Sequence, residues 1–501
     1  MHAGVSSSSP PDRADAAWIL LLAALVATAM ARQRALAWDD PYILFRYAEN
    51  LANGHGWTFN PGTSTDNAVT SPAVVMVLTA LRAARVPMFA AGAVLFHASM
   101  TCAAWFTGRA LAVSGNRTAG TIAAIAVATS PALVSMWGME SGAYLALVAV
   151  VAWLSQITTK WWDLGIVVGM LGLVRPDALL TGTCVAIVTL FVARRLPRNR
   201  GPLVRLVVPA VAPLAIFSIV MLVITGDVVP STLSAKRAQG SSGTWTTFAS
   251  WSDATSKWPW GLRGSLAPAT EAGDVFVAIA LAFVVLGLVL IVRRRRGWTL
   301  CLALLLSSIS AAIVYGAVLR VASSPWYWTI PVYALTVTAS LGLAWLVDAM
   351  RRPGLIHALL AASVVLVPVT QLRNVRDFST SPRREYDEIG NWIRRNTPEE
   401  STVATFEIGR VGFVSRRTII DPLGLLDDDL ARFVAAGDLT SWLAETQPDY
   451  WVLSVGFIDA PLRRSPCLAD HFTEVFRTRS FTVEKRTSRI ADGRDCAIDS
   501  D

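Results

Sequence analysis

The sequence predicts a polytopic α-helical membrane protein with about eleven transmembrane helices and a C-terminal α/β domain. Of its 501 residues, 53% are hydrophobic and only 16% are charged, whereas globular chains carry roughly a quarter charged residues. The apolar residues form long runs, and Lys and Arg stand in short clusters between them. From about Gln371 the composition becomes that of a soluble domain. These three observations indicate a multi-pass membrane protein with an appended domain.

The N-terminal segment predicts a tail followed by an anchor. Residues 1–15 are rich in Ser and Pro and poor in apolar side chains, which is typical of a disordered cytoplasmic tail. The first span runs from Ala16 to Ala31 and opens the transmembrane domain, residues 16–371. We favour a retained anchor because no positive n-region precedes the span. Cleavage after Ala35-Leu36-Ala37, which resembles a signal-peptidase site, is the alternative.

The remaining spans follow a first outer loop, residues 32–87. The short run from Ser71 to Val86 within that loop is interrupted by Arg82 and Arg85, and we expect it to lie along the outer interface. With this run outside, five consecutive basic clusters fall on the cytoplasmic side, as the positive-inside rule requires. The predicted spans are 88–108, 119–136, 141–158, 163–174, 178–193, 206–224, 274–292, 298–318, 327–348 and 355–371.

The same alternation places every unusual polar segment on the outer face of the cytoplasmic (plasma) membrane. Polar groups from five separate parts of the chain that meet on one face indicate a site. The sequence therefore predicts an extracytoplasmic active site. The five segments are Asp39-Asp40, Trp137 to Glu140, Arg175-Pro176-Asp177, Thr225 to Lys236, and Ser323 to Tyr327.

Residues 372–501 are predicted to form the extracytoplasmic α/β domain, because helical and extended patterns alternate there. Two of the five cysteines, Cys467 and Cys496, lie in this part. A disulfide between them and two free thiols are both open outside the cytoplasm. The predicted helices are 386–395, 430–436 and 439–446, and the predicted strands are 402–406, 418–420 and 450–454.

Asp39 and Asp40 are the leading candidates for catalysis, because acids at a membrane boundary are unfavourable without a task or a partner. A carboxylate there can take the proton of an attacking hydroxyl. Together the two can instead hold a divalent cation. The structural alternative is that one of them caps the helix that begins near Pro41.

Three charged residues near the ends of spans are candidate substrate ligands. Glu140 lies between Gly138 and Gly142, whose small size allows close approach of a substrate or a helix. Arg175 and Asp177 interrupt a long apolar stretch. A substrate contact and a structural ion pair explain these two charges equally well.

A further group of candidates lies in the loops. Lys236 and Arg237 suit a phosphate at the membrane surface, and Asp227 opens the same loop. His55 stands alone between two glycines, and Tyr327 ends the last polar segment. The tryptophans between residues 245 and 260 are more simply anchors of the aromatic belt.

The pattern also argues against several functions. The net charge of +8 comes from short loop clusters without a basic, aromatic nucleic-acid surface. No Gly-rich loop followed by Lys and Ser or Thr is present, which argues against an ATP-driven transporter. No His, Cys and Glu spacing resembles a zinc site. A flippase for a lipid-linked sugar remains a less favoured alternative, since it predicts charges at mid-membrane and often inverted repeats.

The first outer loop resembles that of polytopic GT-C glycosyltransferases, and the chain is most similar to the actinobacterial family of terminal β-(1→2) arabinofuranosyltransferases. The distal segments 412–416, 420–421 and 424–425 resemble that family's extracytoplasmic domain. The resemblance rests on Asp39-Asp40, Phe45 to Leu51, Asn53 to Gly56, Phe59 to Gly62, Gly138 to Glu140, Arg175 to Asp177, Gly226-Asp227, Pro230 to Thr232, and Ala235-Lys236.

This resemblance implies inverting transfer of a sugar, arabinofuranose by preference, from a decaprenyl- or other polyprenyl-phosphate donor to a cell-envelope glycan. It implies that Asp39 or Asp40 is the base and that Lys236 meets the leaving phosphate. Mannose or another hexose on the same carrier is the alternative. Besides the lipid donor, the glycan acceptor and membrane lipid, no partner is implied, and a divalent cation is left open.

Overall fold

The computed structural model of the chain describes twelve segments, to which every structural statement below refers. Five sequence predictions lie outside them: the tail, the first span at 16–31, the belt tryptophans between residues 245 and 260, the last span at 355–371, and the disulfide, since Cys496 is not included. The described segments are residues 39–62, 68–134, 136–158, 160–192, 200–228, 230–241, 271–294, 298–318, 325–350, 383–436, 438–454 and 466–490.

The membrane part is helical throughout its described segments. A π-helical segment, Ile313–Val318, follows the twelfth helix, and a 3₁₀ turn, Pro325–Trp328, precedes the thirteenth. The helices are α1 Asp40–Ala52, α2 Pro72–Ala83, α3 Met88–Val113, α4 Arg117–Thr129, α5 Pro131–Val134, α6 Ser141–Ile157, α7 Trp161–Val174, α8 Pro176–Val192, α9 Arg200–Thr225, α10 Ser231–Ser241, α11 Glu271–Arg294, α12 Trp298–Ala312 and α13 Thr329–Ala349.

Three of the described helices are long and apolar enough to cross a membrane: Met88–Val113, Gly201–Thr225 and Trp326–Ala349. Six shorter apolar helices accompany them. Such helices fall below the roughly 20 residues that a crossing needs, and they are tolerated where neighbouring protein covers their ends. The chain is therefore a multi-pass membrane protein.

One predicted span is interrupted in the structure. The run at 119–136 divides into α4 and α5 at Ser130, whose backbone is extended (φ −57°, ψ 115°). Pro131 follows directly, and a proline disfavours the helical conformation in the residue before it. The helix therefore ends at Thr129, and Ser130 separates it from the proline.

Helix α2 contains the apolar run that the sequence places along the interface. It has 12 residues, so it is about 18 Å long at 1.5 Å per residue. A helix of this length is too short to cross a hydrocarbon core of about 30 Å. It packs against α1 and α3.

Small residues allow the long helices to approach each other closely. A Cβ at Gly342 of α13 would lie 2.2 Å from the carbonyl oxygen of Phe283, and one at Gly287 of α11 would lie 2.2 Å from that of Thr338. Helices in lipid gain much of their association from such close packing.

The C-terminal part is an α/β module. Its five-stranded sheet has the order β2-β1-β3-β5-β4, with β2, β1 and β3 parallel and β5 and β4 antiparallel to their neighbours. The elements are α14 Arg383–Asn396, β1 Thr402–Thr405, α15 Ile408–Ser415, β2 Thr418–Ile420, α16 Asp428–Ala436, α17 Leu439–Thr446, β3 Tyr450–Ser454, α18 Pro466–His471, β4 Phe472–Arg477 and β5 Phe481–Arg486.

The central strand, β3, shows why the secondary structure of this part could be predicted from the sequence. All five residues of β3 are buried, as expected for a strand covered on both faces. Trp451 of β3 contacts Trp442 of α17 with ring centroids 5.6 Å apart. The predicted helices and strands of this module are all found.

Replacing Gly342 with Leu should destabilise the protein, because the new side chain cannot fit against the α11 backbone. We expect a loss of about 1–3 kcal/mol, as for overpacking in other interiors, seen as a lower Tm of the detergent-purified protein. Gly201→Leu is the matched control, since a Cβ there meets nothing within 4 Å. Equal Tm values for the two variants would contradict the close α11–α13 packing.

Candidate functional site

The carboxylate of Asp39 is fully engaged with the C-terminal module. One oxygen accepts a hydrogen bond from the backbone N–H of Gly409 at 2.7 Å, and the other accepts one from Arg410 N–H at 2.6 Å. These are the second and third residues of α15, whose N–H groups have no partner within their own helix. Asp39 makes no capping bond to α1. The prediction that an acid caps α1 is therefore wrong for Asp39, which caps a helix 370 residues away.

Asp40, the first residue of α1, has a different environment. Among the described residues, none donates a hydrogen bond to its carboxylate or forms an ion pair with it. Burial raises the pKa of Asp40 to about 6; the positive charges of Lys236 and Arg175 lower this pKa, and the Glu140 carboxylate raises it. Asp40 is thus a carboxylate without a hydrogen-bond donor that titrates close to neutrality, as suits a general base.

Arg175 binds two of the other predicted acids, Glu140 and Asp177. Its Nη1 donates to Glu140 Oε1 at 2.7 Å, and its Nε donates to Asp177 Oδ1 at 2.9 Å. The backbone of Arg175 is extended (φ −157°, ψ 137°) because Pro176 follows it. This break between α7 and α8 turns the guanidinium towards the start of α6.

Two tyrosines cover this ion-pair cluster. Arg175 Cζ lies 5.8 Å from the ring centroid of Tyr327 and 5.8 Å from that of Tyr144. Tyr315 packs on Tyr327 with centroids 4.3 Å apart. The sequence did not single out Tyr144 or Tyr315. Tyr315 lies in the π-helical segment, a distortion that is frequent at functional sites but leaves no signal in the sequence.

The start of α1 is held against the start of α6 by direct contact. Gly138 has φ +82°, and a Cβ there would lie 3.1 Å from Pro41 Cβ. A side chain at Gly138 would therefore be strained and would crowd Pro41, which follows Asp40. This glycine brings Glu140 into range of Asp40.

Lys236 of α10 lies between the membrane part and the C-terminal module. Its ammonium group donates to Gln239 Oε1 at 3.3 Å, and its charge lowers the pKa of both Asp40 and Asp421. Asp421 accepts hydrogen bonds from the N–H groups of Leu423 and Leu425. In the sequence, Asp421 stood out only through the family resemblance. Its proximity to Lys236 is visible only in the fold.

Three predicted residues lie apart from this cluster. His55 is exposed in a turn between Gly54 and Gly56, both with φ +83°. Asp227 is exposed, and its backbone N–H donates to Thr225 Oγ1 at 3.2 Å. Arg237 is also exposed. The structure thus joins Asp40, Lys236, Glu140, Arg175, Asp177 and Tyr327.

The donor set at the two leading acids does not fit a divalent cation. Both oxygens of Asp39 accept backbone N–H groups, and the charges nearest Asp40 include those of Lys236 and Arg175. Oxygen-ligated cations require several carboxylate or carbonyl oxygens. Among the described residues no group of three or more His, Cys, Asp or Glu side chains could hold a metal ion. We derive no step through a metal.

Replacing Arg175 with Met should strongly destabilise the protein, because it leaves Glu140 buried without its counter-charge. Breaking a buried ion pair on one side costs about 3–5 kcal/mol, which should lower the Tm in detergent by many degrees. Arg237→Met, at an exposed position, should leave the Tm unchanged. Adding Glu140→Gln to Arg175→Met should recover part of the loss; a neutral effect of Arg175→Met would contradict the buried ion pair.

Comparisons with known proteins bear on both parts of the chain. Residues 373–492 match a family model described as a domain of unknown function, DUF8728. No curated protein matches the sequence. ArnT from Cupriavidus metallidurans bound to undecaprenyl phosphate is similar at a TM-score of 0.54 and 13% identity, covering 93% of this chain and 97% of that chain. The apo form of the same protein is similar at 0.52 and 14%, covering 94% and 98%.

The arabinofuranosyltransferase AftD from Mycobacteria, solved by electron cryomicroscopy, is similar at a TM-score of 0.54 and 16% identity. The match covers 96% of this chain and 40% of AftD. At these identities the similarity concerns the fold. From the membrane helices to the α/β module, the chain has the fold of ArnT and of the matching part of AftD.

Proposed function

We propose that the protein is a membrane glycosyltransferase that takes a sugar from a polyprenyl-phosphate donor and passes it to a cell-envelope glycan. The observation that carries this proposal is the environment of Asp40. Its carboxylate accepts no hydrogen bond among the described residues, and it titrates near neutrality beside the ammonium group of Lys236. A carboxylate and a cation that interact electrostatically suit the transfer of a sugar from a lipid phosphate.

The proposed step is a single displacement with inversion. Asp40 accepts the proton of an acceptor hydroxyl while the oxygen forms a bond to the anomeric carbon. The bond between that carbon and the phosphate oxygen breaks, and the polyprenyl phosphate leaves with the electron pair. Lys236 stabilises the charge that develops on the leaving phosphate, where a fixed cation is most effective. The isoprenoid tail stays in the lipid throughout.

The Arg175 cluster supports this step through position and charge. Arg175 is neutralised by Glu140 and Asp177, so the cluster adds no positive charge that would compete with Lys236 for the phosphate. Within the cluster, the Glu140 carboxylate raises the pKa of Asp40 and opposes the lowering by Arg175. Tyr327 offers an aromatic face and a hydroxyl on which a sugar ring can stack and bond.

We propose arabinofuranose as the sugar, with mannose or another hexose as the alternative. The resemblance of the first loop favours arabinofuranose, and AftD is an arabinofuranosyltransferase of the same fold. The ArnT structure contains undecaprenyl phosphate, which supports a polyprenyl-phosphate donor for this fold.

We further propose that the site faces the outside of the plasma membrane and that the chain crosses it about eleven times. The support is the positive-inside rule, which the basic clusters of the sequence obey only in this orientation. The domains proposed are the tail 1–15, the transmembrane domain 16–371 with its loop 32–87, and the extracytoplasmic domain 372–501.

Asp40→Asn should abolish sugar transfer, because the amide cannot accept the hydroxyl proton. We expect a rate loss of at least about 100-fold, as for removal of a general base. The assay supplies radiolabelled polyprenyl-phospho-arabinose or polyprenyl-phospho-mannose to membranes that carry the protein and measures labelled glycan. Asp429→Asn, at an exposed carboxylate of α16, is the matched control.

Each outcome of this assay bears on the proposal. Transfer from the arabinose donor alone supports the proposal in full. Transfer from the mannose donor alone would make mannose, not arabinofuranose, the sugar that the protein transfers. Undiminished transfer by Asp40→Asn would overturn the role of Asp40. Donor flipped across vesicle membranes without transfer to any acceptor would favour the transporter.

Lys236→Met should move the acidic limb of the pH–rate profile to higher pH. The base must be ionised, so activity is lost as the pH falls through the pKa of Asp40, which is about 6. Lys236 lowers this pKa, and its removal should raise it. The measurement is kcat/KM against pH. Arg237→Met should leave the limb in place, and an unshifted limb in Lys236→Met would contradict the coupling.

A further inference from the structure

The contact between Asp39 and α15 brings the C-terminal module directly to the residue before Asp40. The two oxygens of Asp39 accept the N–H groups of Gly409 and Arg410, the pair that a capping side chain normally takes within one helix. Here the cap comes from the membrane part and the helix from the module. The module is thereby bonded to the start of α1.

The sequence of α15 is adapted to this contact. A Cβ at Gly409 would lie 2.2 Å from the backbone oxygen of Asp39, and one at Gly412 would lie 2.8 Å from Arg46 Nη1. Side chains at these two positions would push α15 away from α1. The helix therefore needs glycine on the face that meets the membrane part.

A second contact continues the same interface along the first loop. The side-chain amide of Asn60 donates to Ile419 O at 2.8 Å and accepts from Ile419 N–H at 2.9 Å. The Asn60 side chain thus bonds both backbone groups of Ile419 in β2, as a residue of a neighbouring strand can. Arg46 donates to the carbonyl oxygens of Phe59 and Arg417, each at 2.7 Å. Two motif residues of the first loop, Arg46 and Asn60, thus bind the module.

The α15 end of the contact is itself fixed within the module. Arg410 donates to both carboxylate oxygens of Asp387 of α14, at 2.7 and 2.5 Å, and its guanidinium lies 5.2 Å from the ring centroid of Tyr42 of α1. Phe413 packs edge-on against Tyr42, with centroids 5.6 Å apart. The cap therefore joins two rigid elements.

We propose that Asp39 is a positioning residue, which caps α15 across the interface and so fixes Asp40, and that the C-terminal module of unknown function is a built-in part of the active site. The proposal rests on the proposed function for its activity arm. It divides the acid pair: Asp39 binds the module, and Asp40 is left to act on substrate. It also gives the module a task other than separate binding of glycan.

The test compares Asp39→Asn, Asp39→Ala and Asp40→Asn in the full-length protein in nanodiscs. The Oδ1 of asparagine can accept one of the two N–H groups, whereas alanine accepts neither. Hydrogen exchange of residues 408–412 reports the contact directly, and the transfer assay reports activity. Asp429→Ala is the control for loss of a carboxylate from the module surface.

In Asp39→Ala we expect exchange at Gly409 and Arg410 to be about tenfold faster, from the usual size of a lost cap, together with a fall in kcat. Asp39→Asn should keep part of the protection and at least about a third of the activity, while Asp40→Asn should keep full protection and lose activity. Activity that survives asparagine at position 39 but not at position 40 distinguishes a positioning residue from a catalytic residue.

Three results would overturn the proposal. Protected amides with lost activity in Asp39→Asn would make Asp39 a catalytic group. Unchanged exchange in Asp39→Ala would show that the contact does not hold α15. Altered exchange with unchanged activity would show that the module does not fix the site. If no sugar donor is used at all, the exchange arm still tests the contact while the proposed function fails by itself.

Discussion

Two backbone N–H groups at the start of α15 have no acceptor within their helix, and both donate across the interface to the carboxylate of Asp39. Leaving such donors buried and unpaired would cost about 1–3 kcal/mol each. The bond therefore favours one arrangement of the C-terminal module on the membrane part. Asn60 and Arg46 extend the same interface with bonds to the β2 region. The position of Asp40, next in the chain, depends on this arrangement.

Charge neutralisation is the second constraint, and it separates structural from reactive acids. Glu140 and Asp177 both pair with the buried guanidinium of Arg175, because an ionised group in a poorly solvated site requires a partner. Asp39 is bonded to backbone N–H groups. Asp40 has neither kind of partner among the described residues, and burial raises its pKa to about 6. A buried carboxylate with a shifted pKa, whose neighbours are already paired with each other, is suited to proton transfer.

The similarity to ArnT and AftD agrees with this arrangement at the level of the fold. ArnT contains undecaprenyl phosphate, and under the proposed function the junction of membrane helices and α/β module would bring a lipid phosphate and a glycan within reach of Asp40. The choice of sugar depends on pocket shape, which low-identity similarity does not transfer. For this reason the donor comparison, rather than the fold, decides between arabinofuranose and a hexose.

The sequence by itself determined the membrane class, the alternation of helices, the strands of the module, and a set of polar residues that includes Asp40, Lys236 and Arg175. Hydropathy, periodicity and local breaks such as Arg175-Pro176 carry that information, since they depend on neighbouring residues. It did not determine which acid is bonded: Asp39 and Asp40 are chemically identical and adjacent, and only a helix 370 residues away separates their roles. In the sequence, His55 and Asp227 are polar residues predicted on the outer face, just as the residues around Asp40 are. Contacts between residues distant in the chain arise from tertiary packing, so the structure alone joined some of these residues and left others apart.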